Sequence, residues 1–172
     1  MCCQQVLLRD PRSKRLLDAC DRYDNSPLHM AALQGYLGIT IALLEAGGDV
    51  DNKNEDEQTP LHLAAKEVFE ILRPEVPANS HKSVILQGRT RICKEILQRD
   101  KFAVNDEDTD SNTALHLACI YGHSRVVAAL IATGADISAR NYYLWTPLDC
   151  AAAYGQPKCA KLLLDVRKKT NC

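Results

Sequence analysis

A tetrapeptide signature recurs four times along this chain: Ser26-Pro27-Leu28-His29, Thr59-Pro60-Leu61-His62, Thr113-Ala114-Leu115-His116 and Thr146-Pro147-Leu148-Asp149. A pair of small residues follows each at a constant offset: Ala31-Ala32, Ala64-Ala65, Ala118-Cys119 and Ala151-Ala152. The first two signatures lie 33 residues apart, as do the last two. A unit of this length cannot bury its apolar face alone, so its copies must stack into a quasi-one-dimensional array. The usual output of such an array is binding rather than chemistry.

The middle spacing is 54 residues, an excess of 21 over the period. Gly35, Gly122 and Gly155 each lie nine residues past the Ser or Thr, whereas the matching glycine of the second unit, Gly88, lies 29 past it. The spacing therefore places 20 extra residues between Ala65 and Gly88, and one more near Arg99-Asp100-Lys101-Phe102. The expected organisation is one domain over 1–172. It comprises a partial unit at 1–25, units at 26–58, 59–112 (with an insertion near 67–87) and 113–145, and a final unit at 146–172 without a finger.

Each unit reads as two helices. Ser or Thr is a good N-cap, because its hydroxyl accepts from an orphan N–H of the first turn. Proline beside it suits the first helical position. The small residues let two helices approach closely, and the glycine supplies a left-handed stop. Second helices follow with apolar residues at helical spacing: Ile39, Ile41, Leu43 and Leu44; Ile92, Ile96 and Leu97; Val126, Val127, Leu130 and Ile131; Ala160, Leu162, Leu163 and Leu164.

The signature with its period resembles the ankyrin-repeat family over roughly residues 16–166. The resemblance implies an all-α solenoid of paired antiparallel helices with β-hairpin fingers. It also implies that His29, His62 and His116 tie neighbouring repeats together through hydrogen bonds to backbone. Gly47-Gly48-Asp49-Val50-Asp51 and Gly134-Ala135-Asp136-Ile137-Ser138 resemble the family's turn into the finger. One departure is general. The family's fingers usually carry glycine two residues before the Thr, and here that position holds Asp24, Glu57, Ser111 and Leu144. Leu144 is β-favouring and awkward wherever φ must be positive.

Composition narrows the function. Lys and Arg total 21 against 22 Asp and Glu, a net charge of −1, which argues against non-specific nucleic-acid binding. No apolar run approaches the roughly 18 residues needed to span a bilayer. Met1–Leu8 lacks the basic n-region of a secretory signal, so a cytosolic chain is expected. Eight cysteines invite a disulfide reading, but Cys119, Cys150 and Cys159 fall in expected helices, where cysteine acts as a small apolar residue. Palmitoylation at Cys2-Cys3 is an alternative reading of that pair. His116, Cys119 and His123 share a helical face, yet a zinc site there lacks a fourth ligand at suitable spacing. No phosphate-binding loop or nucleophile–base motif is present. The chain is read as non-catalytic, without metal or cofactor.

The ends and the insertion leave alternatives. Arg15–Cys20 reads as the tail of an earlier second helix, and Arg167–Cys172 as a short basic tail without a capping repeat. Either the chain is a cut section or short isoform of a longer array, or the tail and Val6-Leu7-Leu8 act as caps. Uncapped ends imply packing against neighbouring repeats or self-association, with the Leu162–Val166 face partly exposed. In the insertion, Val68, Phe69, Ile71 and Leu72 could prolong the first helix until Pro74 and Pro77 stop it. Pro74–Ser83 is expected to be a mobile loop, either partner-specific or merely tolerated.

A protein partner is expected on the finger tips and the inner groove. Three tips are acidic: Asp21-Arg22-Tyr23-Asp24, Asn52–Glu57 and Asn105–Asp108. The last, Arg140-Asn141-Tyr142-Tyr143-Leu144-Trp145, carries the residue types that dominate binding hot spots. Those rings either take a partner or pack on a further repeat. In the groove, Leu33, Gln34, Ile120, Tyr121, Ala153 and Tyr154 occupy variable positions. The partner-binding candidates are Tyr121, Arg140, Tyr142, Tyr143, Trp145, Tyr154, Leu33 and Gln34. Two stretches, Tyr23–Ala32 with Gly35-Tyr36 and Leu144–Gly155, resemble the cytosolic ankyrin array of transient receptor potential ankyrin-type cation channels. That resemblance implies a segment of such an array on the cytosolic face of a membrane.

Overall fold

The structure is a computed structural model that describes residues 16–17, 19–66 and 81–170; the side chains of 81–87 and 169–170 lie outside that description. The named helices are α1 (Pro27–Gln34), α2 (Leu37–Glu45), α3 (Pro60–Ala65), α4 (His81–Arg99), α5 (Ala114–Ile120), α6 (Ser124–Ala132), α7 (Pro147–Ala153) and α8 (Pro157–Thr170). A 3₁₀ turn, Phe102–Asn105, follows α4. Helices α1, α3, α5 and α7 stack in one row, α2, α4, α6 and α8 in a second, and each first helix packs on its own second helix. Among the described residues there is no named strand, only an isolated antiparallel bridge between Glu107 and Thr113. The fold is the all-α solenoid that the period implies.

The signature builds the first helices as its chemistry requires. Ser26, Thr59, Thr113 and Thr146 hold extended φ/ψ as N-caps, and each completes a reciprocal capping box with the residue three further on. The signature leucines Leu28, Leu61 and Leu115 are buried, with the small residues Ala32, Ala65 and Cys119 sealed beside the next first helix. At α7 the pattern opens: Ala151 is buried but Ala152 is exposed. On α8, Leu163 is buried, Leu162 and Val166 are half-buried and Leu164 is exposed.

The second unit departs from its sequence reading. Gly35, Gly122 and Gly155 end their helices with φ of 76°, 75° and 65°, but Gly88 lies inside α4, a helix of 19 residues. A Cβ at Gly88 would sit 3.1 Å from the carbonyl oxygen of Gly35. Its glycine serves close approach between α4 and the end of α1, not a turn. Helix α3 stops at Ala65, with Lys66 leaving in extended conformation. Val68, Phe69, Ile71 and Leu72 lie outside the described residues. So does most of Pro74–Ser83, but its last three residues, His81–Ser83, are helical. The residues from His81 to Gln87 contain no proline, so nothing interrupts the hydrogen-bond ladder that joins them to the repeat's own second helix.

Arg89 fastens this longer helix. It is 3% exposed and donates to the carbonyls of Lys66 and Leu33, the latter at 3.1 Å. Those carbonyls belong to the C-terminal ends of α3 and α1, where a cation also meets the favourable end of the helix dipole. Arg99 at the far end of α4 donates to the Leu44 carbonyl of α2 in the same manner.

Candidate functional site: the finger row

Between helix pairs the chain turns back four times in short fingers, and one local design recurs. In each finger an Asp or Asn side-chain oxygen accepts the N–H groups two and four residues on. Asp21 Oδ1 takes Tyr23 and Asn25, and Asn54 Oδ1 takes Asp56 and Gln58. Asp108 Oδ1 takes Asp110 and Asn112, and Asn141 Oδ1 takes Tyr143 and Trp145. This closure holds the next position in the left-handed region: Asp24 at φ 58°, Glu57 at 55°, Ser111 at 56° and Leu144 at 61°. The fingers therefore form without the family's glycine, and the strain at Leu144 is real. Asp21, Asn54, Asp108 and Asn141 share the 33- and 54-residue spacings of the signature. That period was the signal for their role; read as tip charge alone, they gave no hint of it.

Neighbouring fingers are joined backbone to backbone. Glu55 N–H donates to Tyr23, Thr109 to Asp56 and Tyr142 to Asp110, at 3.1, 3.0 and 2.8 Å. Side chains form a second ladder: Asn54 to Asn25, Gln58 to Asp108, and Asn141 to Asn112. The signature histidines form a third. Nδ1 accepts the N-cap backbone N–H of Ser26, Thr59 or Thr113 at 3.1 to 3.2 Å. Nε2 must then carry the proton. It donates across the repeat boundary to Gln58 O from His29, to Asn112 O and Asp106 O from His62, and to Trp145 O from His116. Burial pushes all three imidazoles below their ordinary value of 6.5, against the opposing pull of those carbonyls. They are neutral struts. In the fourth unit Asp149 replaces the histidine and accepts from Thr146 N and Oγ1, both at 2.8 Å. A carboxylate has no proton to donate onward.

The cysteines are packing residues as well. Cys93, Cys119, Cys150 and Cys159 are buried free thiols. Burial pushes Cys93 up to about 12 and Cys150 to about 11, and raises Cys119 and Cys159 too, so none is a ready nucleophile.

The motif residues are thus occupied in holding the array together, whereas many tip side chains are exposed. Charge accumulates along the first three. Asp51 is pushed up by burial and by Asp100, Asp49 and Asp106 nearby. The fourth tip is aromatic: Tyr142 is 74% exposed, Tyr143 65%, Leu144 67% and Trp145 41%. Tyr142 and Tyr143 meet edge to face at 5.5 Å, and Tyr143 lies 6.2 Å from Trp145. Arg140 is exposed and donates to the Leu144 carbonyl at 3.2 Å.

The structure thus holds Arg140, Tyr142, Tyr143 and Trp145 on one finger, with Leu144, a member of the same tip but not of the binding candidates, exposed among them. The groove candidates lie apart from it. Tyr154 is exposed after α7, whereas Tyr121 is half-buried and stacks on His123 at 6.4 Å. Leu33 and Gln34 are half-buried at the end of α1. Among the described residues no helix is long and apolar enough to cross a membrane.

Comparison with known proteins agrees with this architecture. Residues 80–172 match the family described as Ankyrin repeats (3 copies), and residues 15–64 match Ankyrin repeats (many copies). The chain is 30% identical over 160 residues to the transient receptor potential cation channel subfamily A member 1 homolog of Caenorhabditis elegans, covering 93% of this chain and 12% of that protein. To the human transient receptor potential cation channel subfamily A member 1 it is 35% identical over 153 residues, 88% of this chain and 12% of the channel. It is also 26% identical over 186 residues to the NAD-dependent deacetylase sir2B of Dictyostelium discoideum, covering 91% of this chain and 22% of that protein. The chain therefore spans less than a quarter of each of these relatives. Paired helices in two rows, histidine struts across three repeat boundaries and these matches together place the chain in the ankyrin-repeat family.

Proposed function

We propose that this chain is a non-catalytic protein-binding array whose finger row holds a protein partner, with the aromatic fourth finger as its anchor. The observation that carries the reading is the exposed cluster of Tyr142, Tyr143, Leu144 and Trp145, set beside Arg140 on a rigid turn. Large rings and arginine give much contact area for little lost conformational freedom and dominate interface energetics. The acidic tips beside them favour a partner segment that is basic next to an apolar residue. A test compares two variants. Replacing both Tyr142 and Tyr143 by Ala should leave the melting temperature nearly unchanged and weaken affinity for a partner, first captured with the wild-type chain and then purified, by about 1–3 kcal/mol. His116→Ala should lose about 1–3 kcal/mol of stability, because Trp145 O loses its buried donor. If the tyrosine pair is needed for folding and capture is unaffected, the rings are packing residues.

A second reading is that the chain works as a segment of the cytosolic array of a transient receptor potential ankyrin-type channel. It is supported by channel similarity across nearly the whole chain. Full-length transcripts that continue into six membrane helices and a pore would support it; transcripts that continue into another domain would refute it.

A further inference from the structure

A groove of about 410 Å³ runs between α4 and α6, in the row of second helices and away from the fingers. Its rim carries three cations, Lys94, Lys101 and Arg125, and no acidic side chain lines it. All three are exposed, and among the described residues none is held in an ion pair. The floor is apolar and shallow-sided: Leu97 is buried beneath it, while Ala128 and Ala132 are exposed. The hydroxyl of Thr133 at one end is already taken by the carbonyls of Ala129 and Leu130.

We infer that this groove docks an acidic amphipathic helix of a protein partner. Lys94 lies on α4, whereas Lys101 lies just past its C-terminal end and Arg125 on α6, so the three cations come from separate parts of the rim. On α4 the lining runs from Thr90 to Gln98, roughly 12 Å of helix or about two turns, with Lys101 beyond its end. Exposed alanines on α6 leave room for the apolar side chains of a helix laid between two others, and carboxylates on its flanks meet the rim. Such docking is read by apolar anchors at helical spacing, with charge setting the partner's sign and the rate of encounter. The surface is separate from the finger row and does not depend on it.

The probe is a fluorescent synthetic helix of about four turns, with Leu on one face and Glu at positions seven apart. Its controls carry Gln for Glu. Binding is read by anisotropy against the wild-type chain and against Lys94→Glu/Lys101→Glu/Arg125→Glu. The three positions are exposed, and an unchanged melting curve confirms that the variant folds. The acidic helix should bind, weaken with salt, and lose at least about tenfold in affinity to the triple variant, a size reported for close interfacial charge pairs. The finger variant Tyr142→Ala/Tyr143→Ala should bind the probe as wild type does. Equal binding of the Gln helix, or indifference to the charge reversal, overturns the proposal. So does phosphate binding at these residues without peptide binding. Self-association abolished by the triple variant, with no peptide bound, would assign the groove to a second copy instead.

Discussion

Leu144 combines two unfavourable features in one residue. It holds φ at 61°, a region where a Cβ crowds the backbone and costs on the order of 1 kcal/mol or more, and it leaves two-thirds of its apolar side chain in water. Asp24, Glu57 and Ser111 share the backbone geometry but are polar. Strain of this kind collects at binding sites, where the surroundings hold it in place. Asn141 does so here by accepting the Tyr143 and Trp145 N–H groups. Leu144→Gly should therefore raise stability by about 1 kcal/mol, read as a higher midpoint in urea, while weakening the partner that the fourth finger anchors. A lower midpoint would mean that Leu144 is held by packing, and that the finger's strain is not a reserve that binding uses.

Helix α4 shows how one element absorbs an insertion. The described end of the added chain, from His81 on, forms extra turns at the N-terminus of a second helix, and the apolar residues Ile92, Ile96 and Leu97 of that helix are buried. Arg89 supplies the lock, since it joins the C-terminal carbonyl ends of α1 and α3 to the helix that follows them. Removing it would leave two carbonyls without this donor and a void in their place. Arg89→Ala should thus cost about 2–3 kcal/mol. Arg99→Ala, whose residue is exposed, should cost clearly less. Equal losses from denaturant titrations of the two variants would show that Arg89 holds no special position.

Across the whole molecule the struts share one chemistry, and so should their response to acid. His29, His62 and His116 are held below 6.5 by burial. Each must stay neutral to accept the N-cap N–H at Nδ1 while donating from Nε2. In the unfolded chain they protonate near 6.5, so below that pH the unfolded state binds more protons and gains relative to the folded one. Stability should be full above pH 6.5 and fall as pH drops through and below it, with a slope approaching about 4 kcal/mol per pH unit for three such groups. The carboxylates held low by hydrogen bonds, Asp136 and Asp149 among them, start from 3.8 and act only in a more acidic range. Unfolding midpoints measured from pH 7.5 to 5 test this. A flat profile over that range would show that the histidines titrate alike in both states.

The sequence by itself determined the array. The period, the N-caps, the small residues and the apolar spacing of the second helices are local or repeated features, and repetition leaves little freedom in how such units stack. The acidic and aromatic tips were legible too, because side-chain type is visible in the letters. Only the tertiary structure decided the rest. Gly88 looked like a turn glycine, but whether it bends the chain depends on what lies opposite it, and the Gly35 carbonyl lies there. Leu144 looked ill-suited to a tight turn, yet Asn141 closes that turn from three residues away. The groove between α4 and α6 has no sequence signature at all, since Lys94 and Lys101 meet Arg125 across a boundary that the linear order separates by 24 residues at the closest. Local backbone preference is written in neighbouring residues; which groups face one another across a stack is not.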